Sequence, residues 1–285
     1  MDSGGSSGRL RRELGVPALG DLRRCILALA SENPDVAALC TLFEYRFPDQ
    51  GNLQGHSLGN LLLAAMVENA GGLQEGINEA KRLLGVRVGA VLPVTLQHCE
   101  LEAVLKDGTA LKGEHALDQR GASPIAVDTL YLRPSAQANP DSIRAIQQAE
   151  AIILGPGDLY TSLIPNLLVE GIAESIVSAR GQRIVVGNLI CKPGETDHYK
   201  LSDHLLEVLR YLGTKKPLDA VLIHDKDPSV VMPAGVEAVE PDLDACRSLA
   251  RRILVRPVAL VDEPGRHHPY QTAAALMEIL QNNQD

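Results

Sequence analysis

The fold is decided by one stretch of the chain, Ala151-Ile152-Ile153-Leu154-Gly155-Pro156-Gly157-Asp158-Leu159-Tyr160-Thr161-Ser162. Its apolar start has no polar break, which is typical of a strand buried on both faces of a parallel sheet. The two glycines around Pro156 let backbone N–H groups approach a ligand closely, and a helical pattern follows from about residue 165. Because unpaired N–H groups and a helix dipole would point at one spot, the stretch predicts an anion site for a nucleotide phosphate.

Strand and helix patterns alternate from this stretch to the C-terminus. Strands are predicted at 151–154, 183–188, 218–224 and 255–261, with helices at about 165–178, 201–212 and 270–281. This alternation predicts an α/β fold with a doubly wound, mainly parallel sheet. Ligands of such sheets bind outside the carboxyl ends of the strands. These ends carry residues 155–162, 187–188, 224–225 and 262–267.

The middle of the chain has a different pattern. Short strands are predicted at 90–94, 101–105, 110–112 and 125–132, and Asp107-Gly108 is typical of a tight hairpin. No linker bounds this segment. We therefore expect a single domain over 1–285, with residues 88–132 as a small β-rich insertion. Amphipathic helices are expected at 21–30 and 73–84, an apolar helix at 61–69, and a further helix at 139–149.

Composition limits the classes of function. Of the 285 residues, 45% are hydrophobic and only 3% aromatic, so Leu, Ile, Val and Ala must build the core. The net charge of −9 argues against binding a nucleic-acid backbone or an anionic membrane surface. The five cysteines are widely spaced, which favours free thiols in a reducing compartment. With neither a membrane-span run nor a signal peptide in the sequence, we expect a cytoplasmic protein without membrane insertion.

Two polar segments leave alternatives open on their residues alone. The segment from Asp2 to Gly8 is rich in Gly and Ser, and is either a disordered tail or a ligand loop. His56 precedes a helix, as a ligand contact or as a structural histidine. No nucleophile–base arrangement stands out and Gly-x-Ser-x-Gly is absent, which favours a binding or regulatory protein over a hydrolase.

Six segments, in order along nearly the whole chain, together carry a family resemblance. They are GGSSGRLR (4–11), GDLR (20–23), FEYRF (43–47), GHSLGNL (55–61), LGPGDLYTS (154–162), and GNL (187–189) with PGETD (193–197). The chain resembles the YvcK-like gluconeogenesis factors, within the wider superfamily of CofD-like 2-phospho-L-lactate transferases. The resemblance implies a Rossmann-like fold and a nucleotide-type ligand.

The resemblance also implies a function. YvcK-like proteins bind UDP-sugars such as UDP-N-acetylglucosamine and influence growth on gluconeogenic carbon sources, envelope synthesis and cell shape. We therefore expect a nucleotide-sugar-binding regulatory protein without an established turnover. The CofD branch instead uses Mg²⁺ to transfer a phospholactyl group from a guanosine dinucleotide donor, and GPGDLYTS and GHSLGN match the YvcK pattern better. A CofD-like transferase is the alternative, and an NAD-binding protein, which would lack the third glycine of Gly-x-Gly-x-x-Gly, is the second.

The predicted ligand-binding residues follow these motifs. They are Asp2, Gly4, Gly5, Ser6, Ser7, His56, Asn60, Gly155, Gly157, Tyr160, Thr161, Ser162, Asn188 and Arg266. Backbone N–H groups of the two Gly-rich loops are expected to hold the diphosphate, and Arg266 to contact the ligand. Mg²⁺ is the candidate cofactor, held by Asp2 alone because Ser3 stands where the family often has a second acid.

One departure from the family concerns the start of the chain. Family members normally begin with a strand and a Gly-rich loop, about one βα unit before the segment that here begins at Asp2. The resemblance therefore implies that the first βα unit of the family is missing from this sequence, either because the start codon is assigned too late or because the unit is really lost. The sequence leaves the oligomeric state open, with a homo-oligomer among the options.

Overall fold

The computed structural model describes residues 8–10, 15, 18–48, 50–87, 91–123, 125–225, 232, 234–263 and 265–281. The chain divides into two compact units. The first comprises Met1–Glu102, Lys112–Ala116 and Arg133–Ser142, and the second comprises Ala103–Leu111, Leu117–Leu132 and Ile143–Asp285. The expectation of a single domain with an insertion stays a prediction.

Helices and strands alternate over the second half of the chain. The helices are α1 Gly20–Ala28, α2 Pro34–Glu44, α3 Leu58–Ala70, α4 Leu73–Leu83, α5 Glu114–Asp118, α6 Pro140–Gln148, α7 Ile164–Leu167, α8 Ile172–Ser178, α9 Leu201–Leu212, α10 Leu243–Cys246 and α11 Pro269–Gln281. The strands are β1 Glu100–Leu105, β2 Ala110–Lys112, β3 Val127–Arg133, β4 Ala151–Leu154, β5 Gln182–Val186, β6 Leu218–His224 and β7 Ala250–Arg256. One π-helical turn, Leu159–Leu163, precedes α7.

The first unit buries an apolar core between α1, α2, α3 and α4. Its fully buried members include Ile26, Phe43, Leu63 and Ile77. The sequence analysis did not predict α2, although its start carries a local signal. Asn33 caps the helix, because its side chain accepts the N–H of Asp35 over 2.9 Å.

The second unit contains a four-stranded parallel sheet in the order β4-β5-β6-β7. Ile184 and Ala220 on its two central strands pack with Ala275 and Ile279 of α11 on one face. Successive residues of a strand point to opposite faces, and Val221 is fully buried on the other. A sheet covered on both faces requires apolar residues on both, and the central segments of β5 and β6, residues 184–186 and 220–223, are apolar throughout. The predicted Rossmann-like α/β fold class with a mainly parallel sheet is confirmed.

The predicted β-rich segment forms a three-stranded sheet in the order β2-β1-β3. Its hairpin turns at Gly108, whose φ of +86° favours glycine. A predicted strand at 90–94 is wrong over its described part, 91–94, which lies outside any strand. Pro93 has no N–H for a ladder, and its carbonyl instead accepts Asn139 Nδ2 over 3.0 Å.

Two boundaries in the second unit also differ from the prediction. The helix expected at about 165–178 is broken into α7 and α8, because Gly171 between them has a φ of +98°. The strand expected at 255–261 lies at Ala250–Arg256. Pro257 ends it, since proline cannot donate to the ladder.

Candidate ligand-binding site

The loops that follow β4 and β5 meet at the carboxyl end of the sheet in the second unit. Asn188 Nδ2, after β5, donates to the carbonyl of Gly157, after β4, over 2.9 Å. Gly155 has a φ of +90°, and a Cβ there would lie 3.3 Å from the Val186 carbonyl. The turn therefore needs glycine at 155 both for its conformation and for its close approach to β5. Three predicted site residues, Gly155, Gly157 and Asn188, are thus neighbours.

The next turn directs its donors toward the chain itself. The Tyr160 N–H donates to Glu195 Oε2 over 3.2 Å, and the Thr161 hydroxyl donates to Glu195 Oε1 over 3.0 Å. The Ser162 N–H donates to the Asp158 carbonyl over 3.0 Å, while the Ser162 side chain is exposed. A phosphate can reach the Tyr160 N–H only by displacing Glu195. A ligand role for Tyr160, Thr161 and Ser162 stays a prediction.

Glu195 is a buried carboxyl group whose charge is only partly compensated. Its side chain is 2% exposed. Burial, with the nearby charge of Asp158, raises its pKa to about 7, and the hydrogen bonds from Thr161 and Tyr160 and the charge of Lys192 oppose that rise. Lys192 itself pairs with Asp158 over 3.4 Å and with Asp118 over 2.7 Å. Glu195 can therefore take up or release a proton near neutral pH.

Tyr160 belongs to a buried aromatic chain. It is 1% exposed, its hydroxyl lies 2.9 Å from that of Tyr199, and burial raises its pKa. The Tyr199 ring lies 5.6 Å from that of His204. Neither ring nitrogen of His204 has a hydrogen-bond partner within the described part of the chain, and burial lowers its pKa to about 4. The structure places Tyr160 in the core, so stacking on a ligand would require the ring to move.

A cavity of about 260 Å³ lies at the carboxyl ends of β5 and β6. Apolar side chains such as Leu189 and Ile223 line it, together with the polar Asn188 and His224. His224 Nδ1 accepts the N–H of Val258 over 3.1 Å, which leaves the proton of a neutral ring on Nε2. The cavity thus combines apolar walls with a few fixed polar groups, as ligand pockets do.

Arg266 lies in the turn before α11 and is exposed. Its Nε pairs with Glu263 Oε2 over 2.9 Å. The next residue, His267, reaches the sheet, because its Nε2 lies 3.1 Å from the Gly187 carbonyl. Burial lowers the pKa of His267. The predicted contact of Arg266 with a ligand stays a prediction.

The remaining predicted residues belong to the first unit. Asn60 is buried and accepts Arg23 Nε over 3.0 Å, and His56 is also buried. The predicted loop residues Asp2, Gly4, Gly5, Ser6 and Ser7 lie outside the described residues, and so does the predicted Mg²⁺ ligand, Asp2.

Sequence reasoning missed the roles of Glu195, Lys192 and Arg23. Glu195 and Lys192 stand in a loop rich in Pro and Gly after a buried strand, and Glu195 belongs to the segment PGETD (193–197) of the family resemblance, for which no role was predicted. Arg23 stands on the predicted amphipathic helix, where its burial places a charged residue on the face that the pattern predicts to be apolar.

No described group of three or more His, Cys, Asp or Glu side chains could hold a metal ion. No helix among the described residues is long and apolar enough to cross a bilayer.

Comparisons with known proteins identify the family to which this chain belongs. A family model described as "2-phospho-L-lactate transferase CofD" matches residues 1–259. A relative from Nostoc sp. is 41% identical over 97% of this chain, which spans 61% of that protein. The "Gluconeogenesis factor" of Halalkalibacterium halodurans is 39% identical over 84% of this chain and 73% of its own length. The "Gluconeogenesis factor" of Bacillus subtilis is 34% identical over 98% of this chain and 88% of its own length.

A solved structure supports the same family assignment. The crystal structure of a UPF0052 family protein from Bacillus halodurans superposes with a TM-score of 0.87 at 34% identity, covering 97% of this chain and 88% of that one. The match of a family model to nearly the whole chain, together with these relatives, confirms the resemblance found in the sequence. The chain therefore belongs to the CofD family and, within it, to the YvcK-like gluconeogenesis factors.

Proposed function

We propose that the chain binds a nucleotide sugar, such as UDP-N-acetylglucosamine, and regulates growth on gluconeogenic carbon sources, cell envelope synthesis and cell shape in response to it. The observation that carries the proposal is the bond from Asn188 to the Gly157 carbonyl beside the cavity at the carboxyl ends of β5 and β6. This is the position at which open α/β sheets bind nucleotides.

The chemistry of the cavity supports a ligand with both an apolar face and polar edges. Its walls are mostly apolar, and Asn188 and His224 supply polar atoms. At about 260 Å³ it is smaller than the roughly 300–1,000 Å³ of pockets that enclose a whole drug-sized ligand. It would therefore take one part of a nucleotide sugar, the base or the sugar ring, and leave the phosphates to the adjoining loops.

A regulatory role is supported by the names of the relatives, which are called gluconeogenesis factors. A Mg²⁺-dependent, CofD-like transfer of a phospholactyl-type group is the second candidate. The family description and Glu195, a carboxyl with a pKa near 7, favour it. Acid–base chemistry at neutral pH needs a group of that pKa. Within the described residues no side chains gather as a metal site, and the predicted ligand Asp2 lies outside them.

Ligand binding tests the proposal directly. Calorimetry and thermal unfolding would be run with UDP-N-acetylglucosamine, GDP and NAD, each with and without Mg²⁺. A ligand that binds the folded state raises its stability in proportion to the logarithm of ligand concentration over Kd. We expect the UDP-sugar alone to bind and to stabilise. A response to GDP that requires Mg²⁺ would favour the transferase, and a response to NAD alone would contradict both.

Arg266 and Arg247 offer a matched pair for this experiment. Both are exposed arginines that pair with an acid three residues earlier, Arg266 with Glu263 and Arg247 with Asp244. Arg266→Ala is expected to weaken UDP-sugar binding by about tenfold, the loss of one charge-assisted contact. Arg247→Ala is expected to bind like the wild type. Equal affinities in the two variants would remove Arg266 from the site.

A further inference from the structure

Arg23 in the first unit is a buried guanidinium that forms no ion pair with any described carboxylate. It is 6% exposed. Its Nε donates to Asn60 Oδ1 over 3.0 Å and its Nη1 to the Phe43 carbonyl over 3.2 Å. Gly59 makes room for this side chain, since a Cβ at 59 would lie 2.7 Å from Arg23 Cδ. The fold therefore buries a positive charge inside the unit, and Gly59 leaves the space that the Arg23 side chain needs.

The charges around Arg23 repel it on balance. Burial lowers its pKa, and the charges of Arg46 and Arg24 lower it further. The charge of Glu44 raises the pKa of Arg23 but acts less strongly than that of either arginine. A buried charge is expensive unless it is paired. The site thus carries an excess of positive charge, in a chain whose net charge is −9.

Two further arginines of the first unit donate to neighbouring carbonyls in the loop before α3, and the charge of one of them, Arg46, acts on Arg23. Arg46 Nη1 donates to the Gly55 carbonyl over 3.4 Å, and Arg9 Nη2 donates to the carbonyl of the preceding residue, Gln54. Arg46 is exposed and Arg9 is partly buried. Among the described residues, none of the three guanidinium groups is paired with a carboxylate.

A purely structural role accounts for only part of this charge. The Phe43 carbonyl belongs to the last turn of α2, and a helix C-terminus carries roughly half a negative charge. That dipole can offset half of the charge on Arg23, and neither Arg46 nor Arg9 has a carboxylate partner within the described part of the chain. Ser57 adds no negative charge, because its hydroxyl also donates to the Phe43 carbonyl over 3.2 Å. Ser57 therefore does not cap the start of α3 with its side chain. The positive end of the α3 helix dipole adds to the positive charge here.

We propose that Arg9, Arg23 and Arg46 form a binding site in the first unit for a phosphate-type oxyanion. Guanidinium forks match the oxygen geometry of phosphate. Three arginine side chains without a carboxylate partner among the described residues suit a phosphate or diphosphate group, which carries two or more negative charges, better than a single carboxylate. Arg46 is the solvent-facing member, and Arg23 the buried one that fixes the position of the anion.

The test is a titration of the full chain with pyrophosphate, inorganic phosphate and acetate. We expect pyrophosphate to bind more tightly than phosphate, acetate not to bind, and the affinity to fall with rising salt. Arg46→Gln and Arg9→Gln are each expected to weaken pyrophosphate binding by about tenfold or more, as the loss of a charge-assisted hydrogen bond predicts. Arg23→Lys keeps the positive charge but loses the forked guanidinium group, and is also expected to weaken pyrophosphate binding.

Arg82→Gln is the matched control. Arg82 lies on α4 of the same unit, is exposed, and lies 3.8 Å from Glu79. It is expected to bind pyrophosphate like the wild type. Urea unfolding of every variant separates lost binding from lost folding. Because Arg46 is exposed, Arg46→Gln is the variant least expected to disturb the fold. Three results would each overturn the proposal: wild-type protein that binds no pyrophosphate, Arg46→Gln and Arg9→Gln variants that bind like Arg82→Gln, or acetate that binds as well as pyrophosphate.

UDP-N-acetylglucosamine, titrated into wild type and Arg46→Gln, identifies the source of the anion. Equal losses of affinity for the UDP-sugar and pyrophosphate would identify it as the phosphate of the nucleotide. A loss confined to pyrophosphate would identify a separate phosphate ligand. The pyrophosphate arm does not depend on the UDP-sugar, so failure of the proposed function and failure of this site give different results.

Discussion

The hydroxyl of Thr161 donates to Glu195 Oε1 over 3.0 Å, across 34 residues of chain. The N–H of Tyr160 donates to the second oxygen of the same carboxyl. A buried acid therefore occupies the donors of the turn that the sequence predicts to hold a phosphate. The turn is satisfied without a ligand, and an external phosphate must compete with Glu195 for it.

Glu195→Gln is expected to flatten the pH dependence of stability. The pKa of Glu195 is about 7 in the folded chain against an ordinary 4.5, so the folded state holds the proton more tightly. Its contribution is fully present below pH 4.5 and is lost as the pH rises through 7, by about 3 kcal/mol in total. Glutamine cannot ionise, so this fall should be missing from the variant's unfolding free energy, measured in urea between pH 4.5 and 8.

Glu174→Gln is the control for that measurement, because Glu174 is an exposed glutamate on α8. Its profile should run parallel to the wild type. Parallel profiles for Glu195→Gln as well would contradict the raised pKa.

His204→Leu is expected to stabilise the protein. Neither ring nitrogen of His204 has a partner among the described residues, and an unsatisfied buried polar group costs about 1–3 kcal/mol. Loss of the contact with the Tyr199 ring offsets part of that gain. Because the folded pKa is lowered to about 4 from 6.5, wild-type stability falls as the pH falls below 6.5. The advantage of the variant should therefore grow by about 2 kcal/mol between pH 7 and pH 5.

Thermal unfolding at pH 7 and pH 5 measures this difference. The exposed His115 supplies the control, and His115→Gln should lose stability on acidification as the wild type does. A His204→Leu variant that is less stable than wild type at both pH values would show that the ring has a bonding role that we have not identified.

Asn188→Ala is expected to loosen the turn after β4. It removes the bond to the Gly157 carbonyl and should cost about 1 kcal/mol of unfolding free energy. Under the proposed function it also weakens UDP-N-acetylglucosamine binding by about tenfold, read by calorimetry. Asn166→Ala is the matched control, because Asn166 donates to the Ser162 carbonyl over 2.7 Å away from the cavity lining. If both variants bind equally well, the cavity is not the ligand site.

Gly59→Ala tests the packing around Arg23. Alanine is the better helix former by about 1 kcal/mol, so propensity alone predicts stabilisation at this position of α3. A Cβ at 59 would, however, lie 2.4 Å from the Phe43 carbonyl, and overpacking costs about 1–3 kcal/mol. We expect net destabilisation in urea unfolding. Ala65→Gly, on the exposed face of α3, calibrates propensity in the same helix, and a Gly59→Ala variant that gains what Ala65→Gly loses would contradict the contact.

Local sequence patterns predicted most of the helices and strands of the second unit. The helix at 201–212 and the strand at 218–224 lie where the sequence predicts them, because burial on a regular element leaves a period in the sequence. The misplaced strand near 255 and the broken helix after 165 are also local, and Pro257 and Gly171 mark them. These two elements were missed because apolar runs were given more weight than the residues that interrupt them.

The sequence by itself determined the α/β class, the parallel sheet and the Gly-rich turn at 155–157, since apolar runs and glycines act where they stand. Only the tertiary structure decided that Glu195 fills the turn and that Arg23 is buried against Asn60, 37 residues away. A hydrogen bond between distant residues leaves no period along the chain. Which donor meets which acceptor depends on how the chain returns on itself, and this also determines the charge of each site.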